Sequence, residues 1–383
     1  MQVVESGNTN TMAKIWIVIP TYWTREMKTG GFDHPTPVNG NSTLPRLLNS
    51  LSHQTETEFK VLIIAGGVDQ KVLPLASAAV DQIIHEYHDQ LDITNCDYST
   101  VIKVRKRYNL PDRAFNLTSY AGIRNLQLLF PNMAGAELVV ALDDDEIVIP
   151  HYVYQAVDEI SKLVNGQRIL GLAGPYENEN GELGLVEVKE TGNIFLDKNR
   201  IMNAGMQKLV GNGAKVVPSP QVFGGNMIFH LDLFKRVGFD PGITRGEDMD
   251  YMINSHIEGF PWYMANDLRI THLPPKQYGV PAYAKLKQDV LRFIYERAKV
   301  QLYQIKPGQF EPYPGRFLHQ DLDTHALNAL KKYDTQEKSA THGSPEEILA
   351  EAYRHVEQAL PVYETFRTDW LGWMEQTRGR AIE

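Results

Sequence analysis

Four carboxylates in a row, Asp143-Asp144-Asp145-Glu146, follow the apolar run Leu138 to Leu142. Held together at the end of a buried strand they repel, because like charges within about 4–6 Å raise one another's pKa. A hard divalent cation, Mg2+ or Mn2+, removes that cost; such ions take oxygen ligands and commonly hold a substrate's phosphates as well. The alternative is a solvated loop whose aspartate caps the following helix. Ligands in α/β sheets collect at the carboxyl ends of strands, which favours the cation.

A second acidic group, Gly246-Glu247-Asp248-Met249-Asp250, opens a segment whose Met249, Met252, Ile253 and Ile257 recur at helical spacing. Acidic residues in a first helical turn often only answer the helix dipole. One of them held within about 3 Å of a hydroxyl would instead be a general base. His272 precedes Pro274-Pro275 and is either an ordinary strand-end histidine or a neutral imidazole ligand to the same cation. Arg124-Asn125 sits in a helical pattern, as surface polar residues or with Arg124 as a planar, permanently charged fork for a phosphate or base.

The elements that must hold these groups alternate. Ile15 to Ile19 reads as a strand buried on both faces and ended by Pro20-Thr21. A polar loop from Trp23 to Asn41 leads to Ser42 and Thr43, N-caps for a helix with Leu44, Leu47, Leu48 and Leu51 on one face. A strand at Phe59 to Ala65, a helix at Leu73 to Tyr87 and a strand at Val101 to Val104 follow. A helix at Leu117 to Leu129 then precedes the strand that feeds the acidic run. This order predicts a mostly parallel sheet with helices on both faces. Pro150 marks a helix over Tyr152 to Val164, and Asn165 to Pro220 reads as irregular β and loop with short alternating runs such as Leu185 to Val188. Beyond it come an apolar run at Met227 to Phe229, helices near Leu231 to Val237 and Glu247 to Ile257, and a strand at Trp262 to Ile270. The organisation expected is a loose tail over 1–13, a main domain over 14–275 and a mostly helical extension over 276–383. In that extension, helical patterns at Tyr283 to Tyr303 and Ile348 to Met374 flank a linker, and the segment around Trp370 and Trp373 is open to three uses: packing on the main domain, homo-oligomer contact or peripheral membrane contact.

Composition excludes several classes. The 383 residues are 43% hydrophobic and 22% charged, enough for a large core. With a net charge of -9 and cations scattered apart from Lys103, Arg105, Lys106 and Arg107, a nucleic-acid surface is not indicated. Cys96 is the only cysteine, which rules out an intrachain disulfide and points to a reducing, cytoplasmic compartment. The first thirteen residues lack the basic start and apolar run of a signal peptide, and nothing approaches the roughly 18 apolar residues of a membrane span. There is no Gly-x-Ser-x-Gly elbow, no Walker loop, no Gly-x-Gly-x-x-Gly after the first strand and no paired histidines of a zinc protease.

Taken in order, the motifs resemble those of family 2 glycosyltransferases with the GT-A fold, over about Lys14 to Pro275. The opening IVIPTYW at 17–23, STLPRLLNSLSHQ at 42–54, AGIRN at 121–125, LDDDEIVIP at 142–150, FGGNMIFHLDLFKRVGFD at 223–240, RGEDMDY at 245–251 and RITHLPP at 269–275 carry the likeness. The resemblance implies a Rossmann-like, mostly parallel mixed sheet flanked by helices, with a C-terminal helical extension. It implies a nucleotide-sugar donor contacted by Pro20, Thr21, Tyr22, Arg124, Asn125, Asp143 and Asp144, and a divalent metal, Mn2+ or Mg2+, held by Asp145 and His272. Gly224, Gly225 and Asn226 would face a hydroxyl-bearing acceptor, and Glu247-Asp248 would be the catalytic pair with Asp248 as base. One motif departs from the family: after the second strand the usual Asp-Asp-Gly-Ser turn is Ala65-Gly66-Gly67-Val68-Asp69, leaving Asp69 as the carboxylate that could reach the base. The implied reaction is an inverting transfer of a hexose-type sugar. Its rivals are a nucleotidyltransferase, which usually carries a Gly-rich basic loop where this chain has Pro20-Thr21-Tyr22-Trp23, and a catalytically silent nucleotide-sugar or carbohydrate binder.

Overall fold

The computed structural model describes residues 14–25, 35–185, 189–211, 213–275 and 282–380. The tail over 1–13, most of the loop after Trp23 and the alternating run at 186–188 lie outside the described residues.

The first half follows the expected alternation. Strand β1 (Ile15–Thr24), helix α1 (Leu44–Leu51), strand β2 (Phe59–Gly67), helix α2 (Leu73–His85) and strand β3 (Ile93–Cys96) form the opening β-α-β-α-β unit. The third strand is not where Val101 to Val104 suggested. Those valines lie on helix α3 (Tyr98–Tyr108), which Asp97 caps by accepting from Thr100 N at 2.8 Å and Asn109 ends in the left-handed region at φ 51°. The cap and stop signals at 97 and 109 outweigh the β-branched run between them.

Helix α4 (Tyr120–Met133) leads into strand β4 (Leu138–Ala141), then strand β5 (Glu146–Val148) and helix α5 (Tyr152–Glu159). The stretch expected to be irregular holds strand β6 (Gly171–Ala173), strand β7 (Tyr176–Glu177), helix α6 (Lys198–Val210) and strand β8 (Val216–Pro218). Polar residues and the internal Gly205 hide the helix's apolar face, in which Met206 and Leu209 are buried. Strand β9 (Met227–His230) and helix α7 (Glu247–Ile257) follow. The single strand expected at Trp262 to Ile270 is two, β10 (Trp262–Ala265) and β11 (Ile270–His272), which join different sheets. The extension contains helices α8 (Ala282–Leu302), α9 (Leu322–Tyr333) and α10 (Pro345–Thr377), the last opened by a reciprocal Ser344–Glu347 capping box.

The main sheet runs β8-β10-β6-β9-β4-β1-β2-β3. Pairs β1–β2, β1–β4, β2–β3 and β6–β10 are parallel, while β9 runs antiparallel to both β4 and β6. Side chains alternate across the pleat, so Ile15, Ile17 and Ile19 serve one face of β1 and Val18 the other. One face packs on α1, α2 and α5. The other packs on α4 and α7 and, through them, on α8 and α10.

Trp370 is fully buried, stacks on Phe115 with centroids 5.8 Å apart and donates its indole N–H to Phe234 O at 3.0 Å. Trp373 meets the same Phe115 edge-on at 5.6 Å. Both rings therefore pack against Phe115, just ahead of α4. Deeper in, Lys299 on α8 is fully buried and donates at 2.6 Å to each of Asp240 and Asp250 and at 3.0 Å to Asn254, which fastens α8 to α7 just after Asp248. Among the described residues, no helix is long and apolar enough to cross a membrane.

Candidate active site

A cleft of about 430 Å³ opens at the carboxyl ends of β1 and β4. Nine of the residues expected from the sequence line it: Tyr22, Arg124, Asp143, Asp144, Asp145, Gly224, Glu247, Asp248 and His272.

The acidic run divides its four carboxylates among four surroundings. Asp143 accepts from Arg124 Nη2 at 2.8 Å, and Asp144 is bonded to the Thr43 side chain. Asp145 lies 3.5 Å from His272 Nε2. Glu146 turns inward, fully buried, and its Oε2 accepts from Asp143 N at 2.9 Å. Burial and the neighbouring carboxylates push Glu146 well above the usual range, so it closes the turn from within and does not line the cleft. Burial raises Asp143 and Asp144 too, reinforced by repulsion within the run and opposed at Asp143 by Arg124. An excess of negative charge facing a cleft is the electrostatic condition for a bound cation.

His272 reaches this place by strand pairing. Strand β11 runs antiparallel to β5 with His272 opposite Glu146, which sets the imidazole beside Asp145. Burial alone would lower its pKa, but the Asp145 carboxylate carries it upward on balance. Among the described residues, no group of three or more His, Cys, Asp or Glu side chains is gathered closely enough to hold a metal alone. One carboxylate and one imidazole suit Mn2+ when phosphate oxygens and water complete its shell, so the pair fits an ion that arrives with a substrate diphosphate.

Opposite the run, α7 points its first turn into the cleft. Gly246 precedes it in the left-handed region at φ 71°, and a Cβ there would lie 1.7 Å from Arg292 Nη1, so a glycine is needed on both counts. Asp248 is held by two backbone amides: Gly224 N donates to Oδ2 at 3.1 Å and Met249 N to Oδ1 at 2.8 Å. Glu247 is buried and accepts from Arg124 Nε at 3.1 Å. Burial raises it to about 7 against the pull of Arg124, and Asp248 adds to the rise. Tyr22 and Tyr120 meet edge to face at 4.9 Å on the cleft wall.

Six expected residues do not line the cleft. Pro20 is inside β1, and Thr21 is buried with its hydroxyl on Ile64 O at 3.3 Å. Asn125 is fully buried, joining Ala114 O at 3.0 Å and Phe239 O at 2.8 Å, so it ties α4 to the loop after β9. Asp69 is exposed and accepts from Lys71 N at 2.7 Å and Val72 N at 3.1 Å at the start of α2. Gly225 and Asn226 sit behind the wall. A Cβ on Gly225 would come within 1.8 Å of Glu146 Oε1, and Asn226 is buried between Tyr152 OH at 2.7 Å and Leu268 O at 2.8 Å. The altered turn has its own packing reason: a Cβ on Gly66 would fall 2.4 Å from Ile123 Cδ1 of α4.

The cleft also holds residues that no motif flagged, among them Tyr176, Lys198, Arg292 and Tyr313. Arg245 had appeared only as the residue before Gly246. Burial raises the Tyr176 phenol well above its usual range; its oxygen accepts from Gly225 N at 2.7 Å, and it also bonds Glu146.

No protein-family model matches the sequence, and no curated protein matches it. Solved structures do resemble it. A mannosyltransferase from Pyrobaculum calidifontis, in complex with GDP-Man and Mn2+, superposes with a TM-score of 0.50 at 15% identity, covering 95% of this chain and 86% of that one. TarS from S. aureus (TM-score 0.41, 14% identity, 93% and 55% covered) and GalNAc-T7 with UDP, GalNAc and Mn2+ (0.46, 14%, 91% and 58%) are more distant. The fold is therefore of the GT-A type: a mixed, mostly parallel sheet between helical layers, here extended by the long helix α10.

Proposed function

We propose that this chain is an inverting, metal-dependent glycosyltransferase that moves a sugar from a nucleotide-diphosphate donor to a hydroxyl acceptor. The observation that carries the reading is the bridge through Arg124, which joins Asp143 at the head of the acidic run to Glu247, the neighbour of Asp248. It brings a cation-seeking pair, Asp145 with His272, and an amide-held carboxylate, Asp248, to one cleft. In this reading Asp145 and His272 hold Mn2+ or Mg2+, which when bound neutralises a departing diphosphate.

The chain's own residues do the rest. Asp248 takes the proton of the acceptor hydroxyl as its oxygen attacks the anomeric carbon from the face opposite the leaving group, which inverts that centre. Amides on both carboxylate oxygens fix the Asp248 plane, so little ordering is left for substrate binding. Arg124 contributes a charge that pH does not remove. Tyr22 offers an aromatic edge to the nucleotide, and Gly224 leaves room for Arg124, since any Cβ there would lie 3.0 Å from Arg124 Nη2.

The test is release of nucleoside diphosphate from a panel of GDP- and UDP-sugars with Mn2+ and with EDTA. Metal-dependent release that grows with a sugar acceptor supports the proposal. Tight nucleotide-sugar binding with no release would assign the chain to the silent binders.

A further inference from the structure

Tyr313 lies between α8 and α9, in the C-terminal extension, yet it lines the same cleft as Asp248. Its ring meets Phe317 edge to face at 5.7 Å and Phe293 at 6.2 Å. The preceding Pro312 packs toward Gly205 of α6, where a Cβ would lie 3.4 Å from Pro312 Cγ. The Tyr313 hydroxyl accepts from Arg292 Nη2 at 2.7 Å. Arg292 is itself fixed, since its Nε donates to Asp289 Oδ1 at 3.0 Å and Asp289 also takes Lys198 Nζ at 2.5 Å. A buried guanidinium thus sets the phenol oxygen in one place.

A phenol has one proton to donate. Arg292 occupies a lone pair of the Tyr313 oxygen, so the O–H points away from the guanidinium, and among the described residues no group accepts it. Glu296 does not take it: burial raises that carboxyl to about 8, and neither of its oxygens has a hydrogen-bond partner. Burial also raises the phenol against the pull of Arg292, so the proton stays in place. Tyr313 is only 2% exposed, and a donor so desolvated costs free energy unless something in the cleft accepts from it.

In the proposed reaction Arg124 and the Asp145–His272 pair already serve the donor's diphosphate. A phenol is a neutral donor and matches a neutral oxygen. Arg292 also packs against Gly246, at the start of the helix that presents Asp248, which ties the phenol and the base to one turn of chain.

We propose that Tyr313 donates a hydrogen bond to a second oxygen of the acceptor, next to the hydroxyl that Asp248 deprotonates, so that the acceptor is a sugar and not a monohydric alcohol. The inference rests on the transferase reading, with Asp248 as base.

Ligand-observed NMR tests it without turnover. Methyl α-mannoside, methyl α-glucoside, methyl α-galactoside and cyclohexanol are titrated into the full chain held with Mn2+ and saturating pyrophosphate. At least one glycoside should bind about tenfold or more tightly than cyclohexanol, because a site built to donate to an oxygen rejects a ligand that lacks it. Tyr313→Phe keeps the ring and removes the donor; it should weaken that glycoside about tenfold and leave Mn2+-pyrophosphate affinity unchanged. One monodeoxy form of the glycoside should lose about as much on the native chain and nothing further on Tyr313→Phe, a coupling that a merely structural role does not produce. Should Tyr313→Phe fail to fold, a native crystal soaked with Mn2+, pyrophosphate and the glycoside decides, with a glycoside oxygen expected within about 3 Å of Tyr313 Oη. No glycoside preferred over cyclohexanol, undiminished binding to folded Tyr313→Phe, displacement of the glycoside by pyrophosphate, or a soaked glycoside out of reach of Tyr313 would overturn the proposal. Absence of nucleoside diphosphate release from every donor would sink the transferase reading instead, and the glycoside binding would still be read on its own.

Discussion

Asp143 and Glu247, one on the loop after β4 and one in the first turn of α7, take hydrogen bonds from the same guanidinium. Arg124 is 3% exposed and reaches them at 2.8 and 3.1 Å. The bridge fixes how far the two walls of the cleft stand apart. Arg124→Met leaves buried Glu247 and half-buried Asp143 without their shared counter-charge and should destabilise the protein by about 3 kcal/mol. An ammonium cannot copy the two-armed fork, so Arg124→Lys should recover part of the melting temperature while nucleotide affinity stays down by about tenfold or more. Thermal melts and calorimetry together separate the two effects.

Asp145→Ala and His272→Ala should each weaken Mn2+-dependent binding of GDP or UDP by about tenfold or more, since each would remove one of the two ligands of the proposed metal site. Metal-free binding of the same nucleotides should change little. Unaltered affinity in the presence of Mn2+ would remove both residues from the metal site.

Asp248→Asn keeps the shape of the side chain and the acceptor oxygen for one amide but cannot take a proton. Transfer should fall by about 10²- to 10⁴-fold, with donor affinity within a factor of about two or three of the native protein. Turnover at a native rate would show that the base lies elsewhere.

Glu296 is fully buried with no hydrogen-bond partner for either oxygen among the described residues, and its carboxyl is raised to about 8. Between the ordinary carboxylate range and about pH 8, the unfolded chain has released a proton that the folded protein still holds. Stability therefore falls as pH rises through that window and levels off above it. Glu296→Gln should melt higher than the native protein by roughly 2 °C or more near pH 8, with the difference shrinking toward about pH 5. A constant difference across that range would mean that Glu296 ionises normally.

Much of this architecture was legible because local signals agreed. Ile15 to Ile19, Leu44 to Leu51 and Leu138 to Leu142 each carry a pattern matching the element they form, and the acidic run follows its strand as expected. Where local signals conflicted, the caps won: Asp97 and Asn109 make a helix of the segment holding Val101 and Val104. The division of Trp262 to Ile270 into two strands is set by partners distant in sequence, since β10 pairs with β6 and β11 with β5. The candidate site was half legible for the same reason. Short runs such as Asp143 to Asp145 and Glu247-Asp248 announce themselves, whereas Lys198, Arg292 and Tyr313 are single residues on separate elements that only tertiary packing collects. Asn125 shows the converse: it sits in a recognisable segment, and its amide is engaged inside the core by Ala114 and Phe239.

The central claim is that Asp145 and His272 hold a divalent ion that carries a nucleotide diphosphate into the cleft beside Asp248. Its most direct test is a crystal soaked with Mn2+ and GDP or UDP, with the ion located by anomalous scattering. The account predicts a peak within about 2.0–2.3 Å of one Asp145 oxygen and one His272 nitrogen, as for a bound transition metal, with phosphate oxygens completing its shell and Arg124 nearby. A nucleotide bound elsewhere, or a clear anomalous peak away from both side chains, would contradict it.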